Sequence, residues 1–120
     1  MKQYELIRAY KATESLSQNN KLSANALWGF YNLRKKLFPH WEFQNEREEA
    51  IRNKYIELAN EDGSLTGKPY VDYLNELAEL ANIEKEINVT EKITVPLKDD
   101  MGITIEMMEA LENFVEFTNE

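Results

Sequence analysis

The side chain in this sequence best suited to proton transfer near neutral pH is the single histidine, His40. A hydrolytic triad sets such a base beside a nucleophile and an orienting acid, and nothing in the spacing puts a serine and a carboxylate next to it. Cysteine is absent, which removes disulfides, thiolate metal sites and thiol nucleophiles. Nitrogen–sulfur metal centres need several His or Cys ligands, so one histidine excludes them. A calcium loop can be tested by aligning Gly63 with the obligatory glycine of that motif. Asn60 and Asp62 then fall on ligand positions and Leu65 on the hydrophobic one. The first ligand position, however, is Leu58 and the bidentate-glutamate position is Pro69. That segment reads as an acidic turn.

Carboxylates are plentiful at Glu46, Glu48, Glu49, Glu57 and Glu61. Acid pairs for glycoside hydrolysis are defined by their separation and a raised pKa, and on a charged helix the default is a solvated face. The glycines stand alone at Gly29, Gly63, Gly67 and Gly102, so no phosphate-cradling loop is present. The expectation is a chain without catalytic chemistry, cofactor or metal. Its densest cluster is aromatic instead: Trp28, Phe30, Tyr31, Phe38, Trp41 and Phe43 lie within sixteen residues. One helix stripe cannot bury all of them. Either neighbouring helices wrap this segment, or Trp28, Tyr31, Phe38, Trp41 and Phe43 contribute to a protein-binding surface, where Trp, Tyr and Arg are the usual anchors. Met101, Met107 and Met108 allow the same two readings, core filler or adaptable contact.

The elements that would position these residues follow from periodicity. Leu6, Ile7, Tyr10, Thr13 and Leu16 mark a helix over about 2–18, ended by Ser17-Gln18-Asn19-Asn20. Ser23 is suited to cap the next helix. A long helical pattern then runs to Asn60 but contains Pro39, which removes a hydrogen bond and crowds the preceding turn. A kink, or a break into two helices, 23–38 and 40–60, meeting at a corner, is therefore expected near Phe38-Pro39-His40. After two turn signals around Gly63 and Gly67, Pro69 is placed to open a helix over 69–82 with Val71, Leu74, Leu77, Ala78 and Ala81 on its face. From 86 to 97 the period changes to two, with Ile87, Val89, Ile93, Val95 and Leu97 alternating. This reads as a strand or short hairpin bending near Thr90-Glu91-Lys92, mated with its own other half, the Leu65 segment or a second chain. Thr104 caps a last helix over 104–118, faced by Ile105, Met108, Leu111 and Val115. The sum is a single α-rich α+β domain of 120 residues, predominantly α, with four to five helices.

The net charge of −8 sets fourteen basic against twenty-two acidic residues. The best basic cluster, Arg34-Lys35-Lys36, is short and followed by an acidic stretch, so direct nucleic-acid binding is not expected. No apolar run approaches the ~18 residues of a membrane helix, and the first residues lack the apolar core of a signal peptide. A reducing cytoplasm fits the absence of cysteine.

In layout the chain resembles a family of small uncharacterised proteins encoded by tailed bacteriophages and prophages. The resemblance rests on Leu6-Ile7-Arg8-Ala9-Tyr10-Lys11-Ala12, Phe30-Tyr31-Asn32-Leu33-Arg34-Lys35-Lys36-Leu37 and the charged segment Glu46-Arg47-Glu48-Glu49-Ala50-Ile51-Arg52-Asn53-Lys54-Tyr55. It continues through Glu76-Leu77-Ala78-Glu79-Leu80, Glu86-Ile87-Asn88-Val89, Lys92-Ile93-Thr94-Val95 and a closing segment from Ile103 to Glu112. Pro39, Trp28 and Trp41 depart from the family pattern. The resemblance implies a non-enzymatic accessory or assembly protein of the bacterial host cytoplasm or the virion. Its partners would be itself or phage structural proteins, and the family assigns no site residues. The alternative is an acidic inhibitor that mimics nucleic acid towards a host nucleic-acid-binding or defence enzyme.

Overall fold

A computed structural model describes residues 1–88 and 91–119. The element order is α1 (Gln3–Leu16), α2 (Ala24–Ile56), α3 (Gly67–Ala81), β1 (Ile93–Leu97), α4 (Ile105–Leu111) and β2 (Val115–Asn119). The fold is α+β and mainly α, as expected.

Helix α1 buries Leu6, Ala9, Tyr10, Ala12, Thr13 and Leu16, the stripe its periodicity demands. At its start the Lys2 backbone N–H donates to Glu5 Oε1 at 3.0 Å, satisfying a donor that the helix itself leaves free. The polar break that follows is tied to the far end of the chain, because Asn19 Nδ2 donates to the Met101 carbonyl at 2.8 Å. Ser23 then caps α2, its Oγ accepting from the Ala26 N–H at 3.1 Å.

Of the two outcomes expected at Pro39, the break into two helices is not found: α2 is one helix of 33 residues with Pro39 inside it. Pro39 lies on the exposed face, so the Lys35 carbonyl deprived of its donor is on the water side, where solvent satisfies it. The opposite face is held by Leu37, fully buried against the core. At ~1.5 Å per residue α2 is about 50 Å long, and it accounts for most of the 55 Å long axis of a molecule measuring 55 × 29 × 18 Å. The radius of gyration of 17.8 Å exceeds the ~14 Å of a compact chain this size.

Two apolar cores share that helix. The main one joins Leu6, Tyr10 and Leu16 of α1 to Phe30, Leu33 and Leu37 of α2, with Val95, Leu111, Phe114 and Val115 closing it. The second lies between the later part of α2 and α3. There Ile51, Tyr55 and Leu80 are buried, with Phe43, Leu65, Tyr73 and Leu77 packed around them. A polar chain sits between the two cores. Gln3, fully buried, donates from Nε2 to the His40 carbonyl at 3.0 Å and to Gln44 Oε1 at 3.2 Å, and Gln44 donates on to Glu48 at 2.7 Å.

Three further expectations are corrected. Helix α3 begins at Gly67 with Thr66 before it, so Pro69 is its third residue and not its first. The strand expected over 86–97 is confined to Ile93–Leu97. Glu86, Ile87 and Asn88 are irregular, Val89 and Thr90 lie outside the described residues, and of the segment Thr90-Glu91-Lys92 where a bend is expected, Glu91 is a bend directly before β1. Lastly, the helix expected over 104–118 ends at Leu111, and Val115–Asn119 form a strand parallel to β1, Ile93 facing Val115 and Leu97 facing Asn119. The mate of β1 is thus the C-terminal segment, through a crossover that contains α4. Parallel strands require such a connection. Thr104 caps α4 as expected, accepting from the Met107 N–H at 3.2 Å.

A candidate protein-binding surface

In its first half α2 turns Ala26, Phe30, Leu33 and Leu37 inward. The residues between them, Trp28, Tyr31, Lys35 and Phe38, recur at spacings of three and four and fall on the outer face. Trp28 is 64 % exposed, Tyr31 51 % and Phe38 45 %. The Trp28 and Tyr31 rings stack at 5.5 Å with 24° between their planes. The Lys35 ammonium sits 5.4 Å from the Tyr31 centroid, a cation–π contact.

Behind this stripe lies a second aromatic group that joins α1 to α2. Tyr10 stacks on Trp41 at 5.0 Å and meets Phe38 at 6.4 Å. Arg34 lies 5.5 Å from the Tyr10 ring and Lys11 lies 5.8 Å from the Trp41 ring. Arg34 also pairs with Glu14 at 3.4 Å. Of the five candidate residues, then, Trp28, Tyr31 and Phe38 form one exposed stripe. Trp41 is half-buried under Tyr10. Phe43 belongs to the second core, with the Lys85 ammonium 4.2 Å from its ring.

Two features of the surface escaped the residue-by-residue reading. The first is a separation of charge: residues 1–41 carry seven basic and two acidic side chains, and the remainder carries seven basic and twenty acidic. The aromatic stripe therefore lies in the basic part of an acidic chain. Counting by segment would have found this, whereas the net charge averages it away. The second is on α3. Its buried residues are Leu80 with Tyr73 and Leu77 beside it, whereas Val71 and Leu74, expected on the packed face, are 54 % and 44 % exposed, and neighbouring Tyr70 is 46 % exposed. The helix is apolar over more than half its circumference, so it has one stripe to bury and another left outside.

His40 is half-buried, and burial together with the neighbouring Lys85 charge lowers its imidazole pKa from the ordinary value. The charge acting on it is a cation, not the acid of a triad. Asp62 is occupied within its turn, accepting from the Ser64 N–H at 2.9 Å and from Ser64 Oγ at 2.6 Å, contacts that hold its carboxyl below the usual range. Among the described residues no three His, Cys, Asp or Glu side chains converge as metal ligands. A groove of about 680 Å³ runs between α2 and β1, with Asn32, Lys36, Lys92 and Thr94 on its walls. It contains no histidine, and its Lys36 ammonium donates to the Asn88 carbonyl.

Among the described residues no helix is long and apolar enough to cross a membrane. Comparison of the chain with protein-family models, with curated proteins and with solved structures found no match.

Proposed function

We propose that this chain is a non-enzymatic accessory or assembly protein of a tailed phage or prophage, acting in the host cytoplasm or on the virion by docking a protein partner. The observation that carries the proposal is the stacked Trp28–Tyr31 pair, left open to solvent beside Lys35 and Phe38. Stacking holds both rings in one arrangement before any partner arrives, which reduces the entropy lost on binding. Large aromatics with a neighbouring cation are the residue types that dominate interface energies, and the basic surroundings favour an acidic partner surface. The resemblance to phage proteins supplies the context.

The test uses the full chain as bait for isolated phage head and tail components. The proposal expects capture by the wild type and at least a tenfold loss with Trp28→Ala/Tyr31→Ala. Undiminished capture by that variant would overturn the choice of surface. Aromatics beside lysines also suit single-stranded nucleic acid, so tight binding of a labelled oligonucleotide would overturn the protein-binding reading. A second reading, the acidic mimic of nucleic acid, is favoured by the twenty acidic side chains beyond residue 41. It expects a basic host protein to bind that part of the chain, weakening steeply with salt and unaffected by Trp28→Ala.

A further inference from the structure

We infer that the groove between α2 and β1 binds a short extended segment of the protein partner, acidic at the end that reaches Lys36 and Lys92. This rests on the reading above that the chain works by docking a protein. On the α2 side the groove is walled by Asn25, Gly29, Asn32 and Lys36, which recur at spacings of three and four and form one stripe of the helix. Trp28 lies three residues after Asn25 and four before Asn32, so the exposed aromatic pair stands on the rim of the groove. A partner held on that pair has the groove beside it.

Dimensions select the occupant. From Asn25 to Lys36 the stripe runs about 16 Å. A volume of about 680 Å³ spread over that length leaves a channel about 6–7 Å across. A helix with its side chains needs about 10–12 Å and does not fit. A strand laid beside another needs about 5 Å, and about five extended residues cover the length. Gly29 sets the narrowness: Ile93 Cγ1 lies 2.9 Å from where its Cβ would be, so helix and strand close on each other along the floor.

The walls offer what a peptide backbone pairs with. The Ile93 N–H donates to the Phe114 carbonyl at 2.9 Å. That turns Ile93 and Val95 towards β2 and leaves the N–H and C=O of Thr94 on the free edge of β1. Among the described residues, these main-chain groups and the side-chain amides of Asn25 and Asn32 have no hydrogen-bond partner. Each of the three presents a donor and an acceptor together, as a peptide group does, whereas a phosphate or carboxylate offers acceptors alone. Pro96, the next residue on that edge, has no N–H, so a docked segment pairs at Thr94 and cannot zip along the strand. The groove therefore takes a short chain and does not propagate a sheet.

Charge sets the direction. Lys36 and Lys92 stand at one end, each steadied by a main-chain carbonyl, Lys36 by that of Asn88 and Lys92 by that of Glu112 at 3.2 Å. An ammonium has three donors, so both keep some for a ligand. Glu91 beside them still leaves that end net positive, and the Ser23–Asn25 end carries no charged side chain. A carboxylate at the lysine end pairs opposite signs, and a cation there is repelled.

The experiment selects a library of random heptapeptides on the full chain at low salt, then measures the enriched peptides singly by fluorescence anisotropy. Peptides with Asp or Glu at one end should be enriched. Lys36→Glu/Lys92→Glu should bind them at least tenfold more weakly. Thr94→Pro, which removes the outward N–H, should cost several-fold. All three side chains are exposed, so the variants should keep the wild-type circular dichroism. If either disturbs the fold, Asn32→Trp replaces it, filling the channel from α2 with at least a tenfold loss. No enrichment, enrichment of basic peptides, or undiminished binding by Asn32→Trp overturns the inference. So does displacement of the peptide by an equal concentration of oligothymidylate, which would make nucleic acid the occupant. If the peptides fail while Trp28→Ala/Tyr31→Ala still loses capture of a phage component, the proposed function stands without this groove, so the two failures are distinguishable.

Discussion

Gly29→Ala sets two well-measured effects against each other at the contact between α2 and β1. Glycine inside a helix costs about 1 kcal/mol relative to alanine, so helix propensity alone expects the substitution to stabilise. The packing expects the reverse. A Cβ at this position would lie 2.9 Å from Ile93 Cγ1 and 3.2 Å from both Cδ1 and Cγ2. Two of those atoms are bonded directly to the branched Cβ, whose rotamers are few, so the isoleucine cannot swing aside as a long flexible chain would. It must move with its backbone, and its N–H is the donor that ties β1 to the Phe114 carbonyl at 2.9 Å. Overpacking of this kind costs about 1–3 kcal/mol. The net expectation is a destabilisation of about 0–2 kcal/mol, read as a lower midpoint in urea at unchanged slope. The decisive measurement repeats the substitution in an Ile93→Ala background, where the clash is gone and the alanine should stabilise by up to about 1 kcal/mol. The two backgrounds should differ by about 1–3 kcal/mol. Equal effects in both, or stabilisation of the wild type by the full propensity term, would refute this account of the helix–strand contact.

Phe30→Ala removes one of the two largest fully buried side chains of the main core, and urea unfolding should show a loss of about 3–5 kcal/mol. The Tyr55 phenol is pushed up to about 12, chiefly by its hydrogen bond to Glu76 and then by burial. Because the folded value is the higher one, the associated stability is fully present below pH 10 and is lost as pH rises from about 10 through about 12. Ultraviolet titration of phenolate should show a component with a midpoint near 12 that disappears in Tyr55→Phe. His40 has the opposite sign: its folded pKa is depressed, so stability present above about 6.5 is lost as pH falls through the folded value. Its imidazole resonances should titrate below the ordinary range in the native protein and return to it in urea.

Local signals were readable wherever a residue's role depended on its neighbours in sequence. Ser23 and Thr104 cap the helices they were expected to cap, and the apolar spacing from Leu6 to Leu16 is the buried stripe of α1. The misreadings share one cause, which is that a distant element decides. Pro39 breaks a helix when its orphaned carbonyl is buried, and here it faces water. Leu111 and Val115 fit a helical stripe, while Val115 and Phe117 fit strand alternation equally well. Only the availability of β1 as a parallel partner selects the strand. On α3 the apolar residues fill two stripes, and sequence cannot rank them before α2 covers one. The exposed aromatic surface was half legible. Trp28, Tyr31 and Phe38 point away from the stripe of Phe30, Leu33 and Leu37, but Trp41 and Phe43 are claimed by Tyr10 and by the second core.

The division of α2 between two cores bears on how the molecule opens. Beyond Gln44 the helix leans chiefly on α3, and without it the last dozen residues would be a short isolated helix, marginal in water. Undocking of α3 and unwinding of that outer segment are therefore one cooperative event, a sub-global opening that leaves the packing around Phe30 and Leu111 intact. Amide hydrogen exchange should accordingly group Ile51–Ile56 with Leu77–Ala81 at a shared, lower free energy. The amides of Leu33 and Leu37 should exchange only through complete unfolding.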